Sequence, residues 1–197
     1  MDLHGKRLIL GSQSPRRREL LAGLDLPFTV DTGNTFRERF SDDIPHPEIP
    51  ALLARGKSHG FHRPLEAGEI LITADTLVLC DDRLLGKPRD RQAAREMLRS
   101  LSGRTHQVVT AVTLRSLQAE TTFSDTAQVH FKPLTDQEID YYIEHFQPFD
   151  KAGAYGIQEW IGYMGIDRIE GSFYTIMGLP VHRVYEEFLP FLQETAL

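Results

Sequence analysis

The sequence predicts an α/β fold built on a mixed β-sheet flanked by helices. Three observations carry that expectation. Short apolar runs of strand length alternate with segments of helical periodicity, the pattern of an α/β protein. Two longer strand-like stretches, Val108–Leu114 and Thr121–Phe131, follow each other closely, which makes part of the sheet antiparallel. No internal repeat, low-complexity tract or clear linker divides the 197 residues, so residues 1–197 read as a single domain.

Taken in order, Arg7–Leu10 reads as a short buried strand and Gly11–Ser14 as a turn. Ser14 is suited to cap a helix whose first residue is Pro15, and that helix runs to Ala22 and stops at Gly23. Phe28–Thr32 is a second strand, followed by a polar, proline-containing stretch from Gly33 to Pro47 and a helix from Glu48 to Phe61. Ile70–Ala74 is an apolar run ending at Asp75, which places that carboxylate at or near the end of a buried strand; Thr76–Cys80 continues the run, and Asp81-Asp82 makes a hairpin turn. Asp90–Leu101 is amphipathic, with Ala94, Met97, Leu98 and Leu101 at helical spacing. Thr135 and Glu138 form a capping box ahead of a helix with Ile139, Tyr142, Ile143 and Phe146 on one face. The glycine-rich segment Ala152–Gly171 reads as loops and short strands, and Val181–Leu192 as a closing helix whose face carries Val181, Val184, Tyr185 and Phe188.

Composition narrows the function classes. The net charge is -6, from 22 Lys+Arg against 28 Asp+Glu, and Arg16-Arg17-Arg18 is the only run of three basic residues. A polymeric nucleic-acid binder carries a basic excess or stripe, whereas a small anionic ligand needs only a local cluster. No apolar run is long enough to span a membrane, and residues 1–6 are not followed by a signal-peptide core. The single cysteine, Cys80, cannot form an internal disulfide. The expectation is a cytoplasmic protein acting on a metabolite, with no membrane and no nucleic-acid polymer as partner.

Four segments carry chemistry. Gly11-Ser12-Gln13-Ser14-Pro15-Arg16-Arg17 lies between a strand and a helix N-terminus, where outward-facing N–H groups, two hydroxyls and two guanidinium forks suit phosphate. A capped surface helix with solvated arginines has the same local sequence, and the spacing is not that of a Walker A loop. Asp75, in Ala74-Asp75-Thr76, is costly to bury unless it meets a cation or several donors; a divalent metal is one such partner and a set of backbone donors is another. Lys87, in Gly86-Lys87-Pro88, follows a turn-prone stretch and a hairpin could return it beside the Asp75 strand, although most lysines simply face water. Lys57 and Glu38 are equally unremarkable taken singly. In Asp150–Gln158 the small residues let a backbone approach a ligand closely and Gln158 could donate and accept toward a base edge; a tight structural turn would look the same. Two further patterns are decoys: His59-x-x-His62 has a spacing that metals use but no third ligand nearby, and Cys80 has no basic neighbour to activate it.

Together these segments resemble the Maf family of nucleotide pyrophosphatases. The resemblance runs from Leu8 to about Leu189 and rests on LILGSQSPRRRELL, ITADTLV, LGKPRD, LSGRTHQVVTAV, DKAGAYGIQ and MGLP, in family order. It implies an elongated, ITPase-like α/β fold with two lobes and a central cleft, dimers being common among members. It implies hydrolysis of the α–β phosphoanhydride of a nucleotide substrate with a divalent cation, Mg²⁺ or Mn²⁺. By position, Ser12, Arg16 and Arg17 match the phosphate-binding loop, Asp75 the proton acceptor, and Lys57 and Lys87 family lysines. The dTTP/UTP-cleaving branch is similar at its specificity positions, here Arg16, Thr76 and Gln158. Counting back from Leu53-Ala54-Arg55-Gly56-Lys57 places the family glutamate at Glu38, one insertion away from the count made from Phe28; its acidic neighbour is replaced by Arg37. The segment after the glycine-rich loop, Glu159-Trp160-Ile161-Gly162-Tyr163, is bulkier than in many relatives.

The resemblance implies that Glu38 and Asp75 hold the metal, that Asp75 takes the proton of an attacking water, and that Arg16, Arg17, Lys57 and Lys87 stabilise phosphate charge while Thr76 and Gln158 contact a pyrimidine base. Two rivals remain at this level: a nucleotide-binding regulator of cell division with little hydrolysis, and a pyrophosphatase for modified purine nucleotides.

Overall fold

The computed structural model describes residues 3–41, 43–81 and 83–193. Its strands are β1 (Arg7–Leu10), β2 (Phe28–Val30), β3 (Glu69–Cys80), β4 (Arg83–Leu85), β5 (Thr105–Arg115), β6 (Glu120–Phe131) and β7 (Ile166–Glu170). Its α-helices are α1 (Pro15–Ala22), α2 (Ile49–His59), α3 (Arg91–Leu101), α4 (Asp136–Phe146), α5 (Trp160–Gly165), α6 (Phe173–Met177) and α7 (Val181–Leu192). The sheet order is β2-β1-β3-β5-β6-β7, with β4 paired to β3. β1 is parallel to both β2 and β3, whereas β4 and β7 pair antiparallel to their neighbours. The turn at residues 116–119, closed by the Ser116 N–H donating to the Ala119 carbonyl at 2.9 Å, is too short for anything but an antiparallel β5–β6 pair. The expected mixed α/β sheet is therefore the observed one.

The chain divides into two compact units. The first contains the chain up to Asp75, Thr110–Asp125 and the chain from Gly178 onward; the second contains Thr76–Val109 and Thr126–Met177. In the first unit β1 lies between two parallel neighbours, and Leu8, Ile9, Leu10, Leu71 and Ile72 are all buried. Parallel strands covered on both faces read as continuous apolar runs, which is how these read in the sequence. α1 buries Leu20 and Leu21, α2 buries Leu53 and Ala54, and α7 buries Val184, Phe188 and Phe191. In the second unit α3 buries Ala94, Leu98 and Leu101, and α4 buries Ile139, Tyr142 and Ile143.

Local signals set most element ends. The Ser14 side chain accepts from the Arg17 N–H, Pro15 stands in the first turn, and α1 ends before Gly23. Asp90 caps α3 by accepting from the Ala93 N–H at 2.8 Å. The Thr135–Glu138 capping box forms in both directions. The β3–β4 hairpin pairs Cys80 with Arg83, and Asp81 has the left-handed φ of 51° that a two-residue loop demands; Asp82 lies outside the described residues.

Three expectations need correction. Asp75 does not stand at a strand end: β3 runs through it from Glu69 to Cys80, because apolar residues on both sides keep the ladder intact and β4 pins the second half. β2 stops at Val30 rather than Thr32. The segment Ala152–Gly171 holds one strand, β7, and an unforeseen helix, α5. Two glycines in six residues argue against a helix on propensity, but a Cβ at Gly162 would strike the Ile157 carbonyl. Close packing thus requires the residue that weakens the local signal.

An acid-sensitive anchor opens β3. Glu69 is buried, and Arg63 grips its carboxylate with two bonds, Nη1 to Oε2 at 2.7 Å and Nη2 to Oε1 at 3.0 Å. The Glu66 N–H adds a third at 2.9 Å. The Arg63 bonds, against the opposing cost of burial, hold the Glu69 pKa down at about 2. Because the folded value lies below the unfolded one, this contribution is complete above pH 4.5 and is lost as the pH falls toward 2. With Arg63 partly in solvent, about 1–2 kcal/mol of stability should disappear between pH 6 and pH 3. Urea unfolding at both pH values checks this: Glu69→Gln should remove that share of the acid sensitivity, and an unchanged pH dependence would refute the assignment.

Candidate active site

The first unit assembles six of the residues singled out in the sequence: Ser12, Arg16, Arg17, Glu38, Lys57 and Asp75. β1 hands over to α1 through Gly11, whose N–H still donates to the Ile72 carbonyl at 2.8 Å. A Cβ on Gly11 would lie 3.0 Å from the Thr73 methyl, so the close approach of this turn to β3 favours glycine. Ser12, buried at the turn, accepts from the Ser14 N–H at 3.3 Å and from Arg17 Nη1 at 3.4 Å.

Arg17 is a clip rather than a simple outward-facing cation. Its Nη1 donates to the Ala74 carbonyl at 2.8 Å and its Nε to the Gly178 carbonyl at 2.8 Å. Gly178 has φ of 110°, a backbone state that side chains resist, which gives the MGLP motif a physical reason. Burial lowers the guanidinium pKa; Asp75 then raises it, Arg16 lowers it and Glu38 raises it. Those four charges therefore act on one another.

Lys57 completes the cluster. Its Nζ lies 2.5 Å from Asp75 Oδ1 and 2.7 Å from Glu38 Oε1. The Asp75 side chain is only 12% exposed and Glu38 is 57% exposed, so the pair spans from interior to solvent. The placement follows from periodicity. The Thr73 hydroxyl donates to the Ala54 carbonyl at 2.7 Å, docking α2 on β3. Two residues along the strand brings Asp75 to the same face as Thr73, and three along the helix brings Lys57 to the face of Ala54. Glu38 is set by its own segment: Asn34 Nδ2 donates to the Lys57 carbonyl at 2.6 Å, the Thr35 N–H to the Gly60 carbonyl at 2.8 Å, and the Phe36 ring covers Gly56 so closely that a Cβ there would overlap it. The stretch is thereby laid along α2, ending with Glu38 beside Lys57.

The second unit holds Thr76, Lys87 and Gln158. Thr76 is half-buried on β3 and Lys87 is exposed just after β4. The LGKPRD and DKAGAYGIQ motifs meet where the Gly153 N–H donates to the Gly86 carbonyl at 3.1 Å; Gly153 has φ of 69° and packs on Val78. Gln158 sits in a turn closed by the Glu159 N–H donating to the Gly156 carbonyl at 3.0 Å, and its Oε1 is buried with no hydrogen-bond partner.

A buried polar group in this unit escaped the sequence reading. Lys151 is buried, with Nζ 2.7 Å from Asp150 Oδ1 and 3.0 Å from Glu159 Oε1. The Tyr142 hydroxyl donates to Glu159 Oε2 and accepts from the Gly156 N–H at 2.9 Å. The available signal was a lysine set among glycines and alanines with an acid eight residues on, a pattern that solvation alone does not require. His106, in the LSGRTHQVV motif, is likewise buried, 2.7 Å from the Tyr155 hydroxyl, and burial lowers its pKa to about 4, so it stays neutral at physiological pH.

The decoys behave as ordinary residues. His59 pairs with Glu120 at 2.7 Å and His62 with Asp31 at 3.0 Å, separate acids, so the two do not converge on one ligand. Cys80 is buried, and that burial raises its thiol pKa. Among the described residues no group of three or more His, Cys, Asp or Glu side chains gathers as a ready metal cage, and no helix is long and apolar enough to cross a membrane.

Known proteins are similar to this chain over nearly its whole length. A family model described as Maf-like protein matches residues 7–190. A protein of Porphyromonas gingivalis named dTTP/UTP pyrophosphatase is 49% identical over 192 residues, covering 96% of each chain. One of the same name from Bacteroides thetaiotaomicron is 48% identical over 186 residues, covering 94% of this chain and 96% of the relative. Among solved structures, a HAM1 protein from Coxiella burnetii aligns with a TM-score of 0.40 at 15% identity, covering 64% of this chain and 73% of that one.

Proposed function

Because this chain belongs to the Maf family, we propose that it hydrolyses nucleoside triphosphates, dTTP and UTP above all, to the monophosphate and pyrophosphate. The observation that carries this reading is the Asp75 carboxylate, buried beside Lys57 and Arg17 at the turn that leads into α1. A carboxylate so placed can take a proton while neighbouring cations stabilise charge on phosphate oxygens.

In this reading the Ser12 hydroxyl, the Arg16 guanidinium and the first-turn amides of α1 receive the phosphates. A water attacks the α-phosphorus and gives its proton to Asp75 as the new P–O bond forms. The α–β anhydride bond breaks and pyrophosphate leaves with the bonding pair. Lys57 orients Asp75, Arg17 fixes the strand that carries it, and Lys87 neutralises charge on the leaving group. Thr76 and Gln158 contact the base, with Arg16 sharing in specificity.

A divalent cation, Mg²⁺ or Mn²⁺, belongs to the same reading. Glu38 and Asp75 fit one: both offer hard oxygen donors, and both already lie within bonding reach of a single cationic atom, Lys57 Nζ. When bound, such an ion supplies Lewis acidity and makes a water easier to deprotonate. A cytoplasmic, homodimeric enzyme completes the reading, and the buried, unpaired Cys80 is in keeping with a reducing compartment.

The deciding experiment is a nucleotide panel with separated products. Purified protein with Mg²⁺ or Mn²⁺ should convert dTTP and UTP to monophosphate and pyrophosphate in equal amounts, faster than purine triphosphates. Release of free phosphate with a diphosphate product would end the reading, and binding without turnover would favour the regulator.

A further inference from the structure

We propose that Tyr142, Glu159 and Lys151 form a clamp that positions Gln158 for discrimination between bases. The inference rests on the reading above, in which Gln158 contacts the base, and adds three residues that act through it.

The geometry centres on one oxygen. Gln158 is the third residue of the four-residue turn Gly156–Glu159. The Tyr142 hydroxyl touches both ends of that turn: it accepts from the Gly156 N–H at 2.9 Å and donates to Glu159 Oε2. Tyr142 is itself fully buried on α4, so the oxygen is held by the core and not by the turn. Lys151 Nζ takes the second Glu159 oxygen at 3.0 Å. The carboxylate thus has a fixed partner on each oxygen, and the Glu159 carbonyl accepts from the Gly162 N–H at 2.8 Å in the first turn of α5. A Cβ on Gly156 would collide with the Glu159 carboxyl group and lie 3.0 Å from Lys151 Cε, so a glycine there is a condition of the clamp.

A network this complete is more than a turn of this length needs, since its own backbone bond already closes it. What it secures is the residue at its tip. Gln158 carries the buried Oε1 without a hydrogen-bond partner, and the residue borders a groove of about 320 Å³ that Ile157, Tyr163 and Phe173 also line. A side chain carried on a backbone held this firmly has fewer ways to suit a second ring edge than one on a turn that can shift.

The test is a mutant cycle read as base discrimination. Measured as the ratio of kcat/KM for dTTP over dATP, Tyr142→Phe and Glu159→Gln should each lower discrimination by about 5–20-fold. In a Gln158→Ala background, the same substitutions should change the ratio less than about twofold, because the residue they act through is gone. Circular dichroism and melting confirm that each variant is folded at the assay temperature; should Tyr142→Phe fail to fold, Glu159→Gln alone decides. Unchanged discrimination in a folded variant, or an equal loss with and without Gln158, would overturn the clamp. If Gln158→Ala itself leaves the ratio intact, the base contact falls and the clamp with it, whereas the products of the unaltered enzyme test the hydrolysis independently.

Discussion

Asp75→Asn lowers kcat by about 10²–10⁴-fold, the scale on which a general base contributes. Asparagine is nearly isosteric, so the side chain keeps its place on β3, and assay at saturating Mg²⁺ or Mn²⁺ separates lost proton acceptance from weaker metal binding. The substitution also removes one of two negative charges facing Lys57. Substrate binding should therefore hold or tighten, since phosphates gain a less neutralised ammonium. Steady-state kinetics with dTTP separate the two effects: kcat falls steeply while KM does not rise. Turnover within a fewfold of the parent would remove Asp75 from the mechanism.

Arg17→Lys is the second large effect, and it acts on both stability and rate. A lysine keeps the charge but not the fork, and one ammonium cannot reproduce the directions of Nε and Nη1 toward the Gly178 and Ala74 carbonyls. Losing one charged bond costs about 1.5–3 kcal/mol. The Ala74 carbonyl is covalently next to Asp75, so its release lets the base drift; a misplacement near 1 Å is worth on the order of 10²-fold in rate. Chemical denaturation and kcat measured on the same preparation check this. A variant as stable and as active as the parent would show that the clip is dispensable.

Much of this architecture was legible where the signal is local. Ser14 before Pro15 and Thr135 with Glu138 each act within one helical turn, and each formed as read. α7 has the extent read for it, with Val184 and Phe188 buried, but Tyr185, read onto the same face, is exposed. Asp75 shows where local reading fails. One acid inside an apolar run looks like a boundary, and only the fold supplies the lysine that lets the strand continue through it. Lys57 looks like a surface lysine for the same reason, because its partner is 18 residues away. Glu38 could be placed only by counting; the packing of Phe36 on Gly56 fixes it. The Arg17 bond to Gly178 spans 161 residues, a separation at which neither periodicity nor spacing carries information.

The unbroken course of β3 has a consequence for how turnover can be controlled. A base mounted on a loop can be withdrawn by moving the loop. The carboxylate at position 75 rides on a backbone that is hydrogen-bonded on both sides of it along the strand, in the class of segment that opens last and least often. Its own freedom is reduced to two side-chain torsions, and Lys57 restrains those. If Asp75 is the proton acceptor proposed above, gating belongs to whatever approaches it, the more exposed Glu38 segment included, and not to a movement of β3.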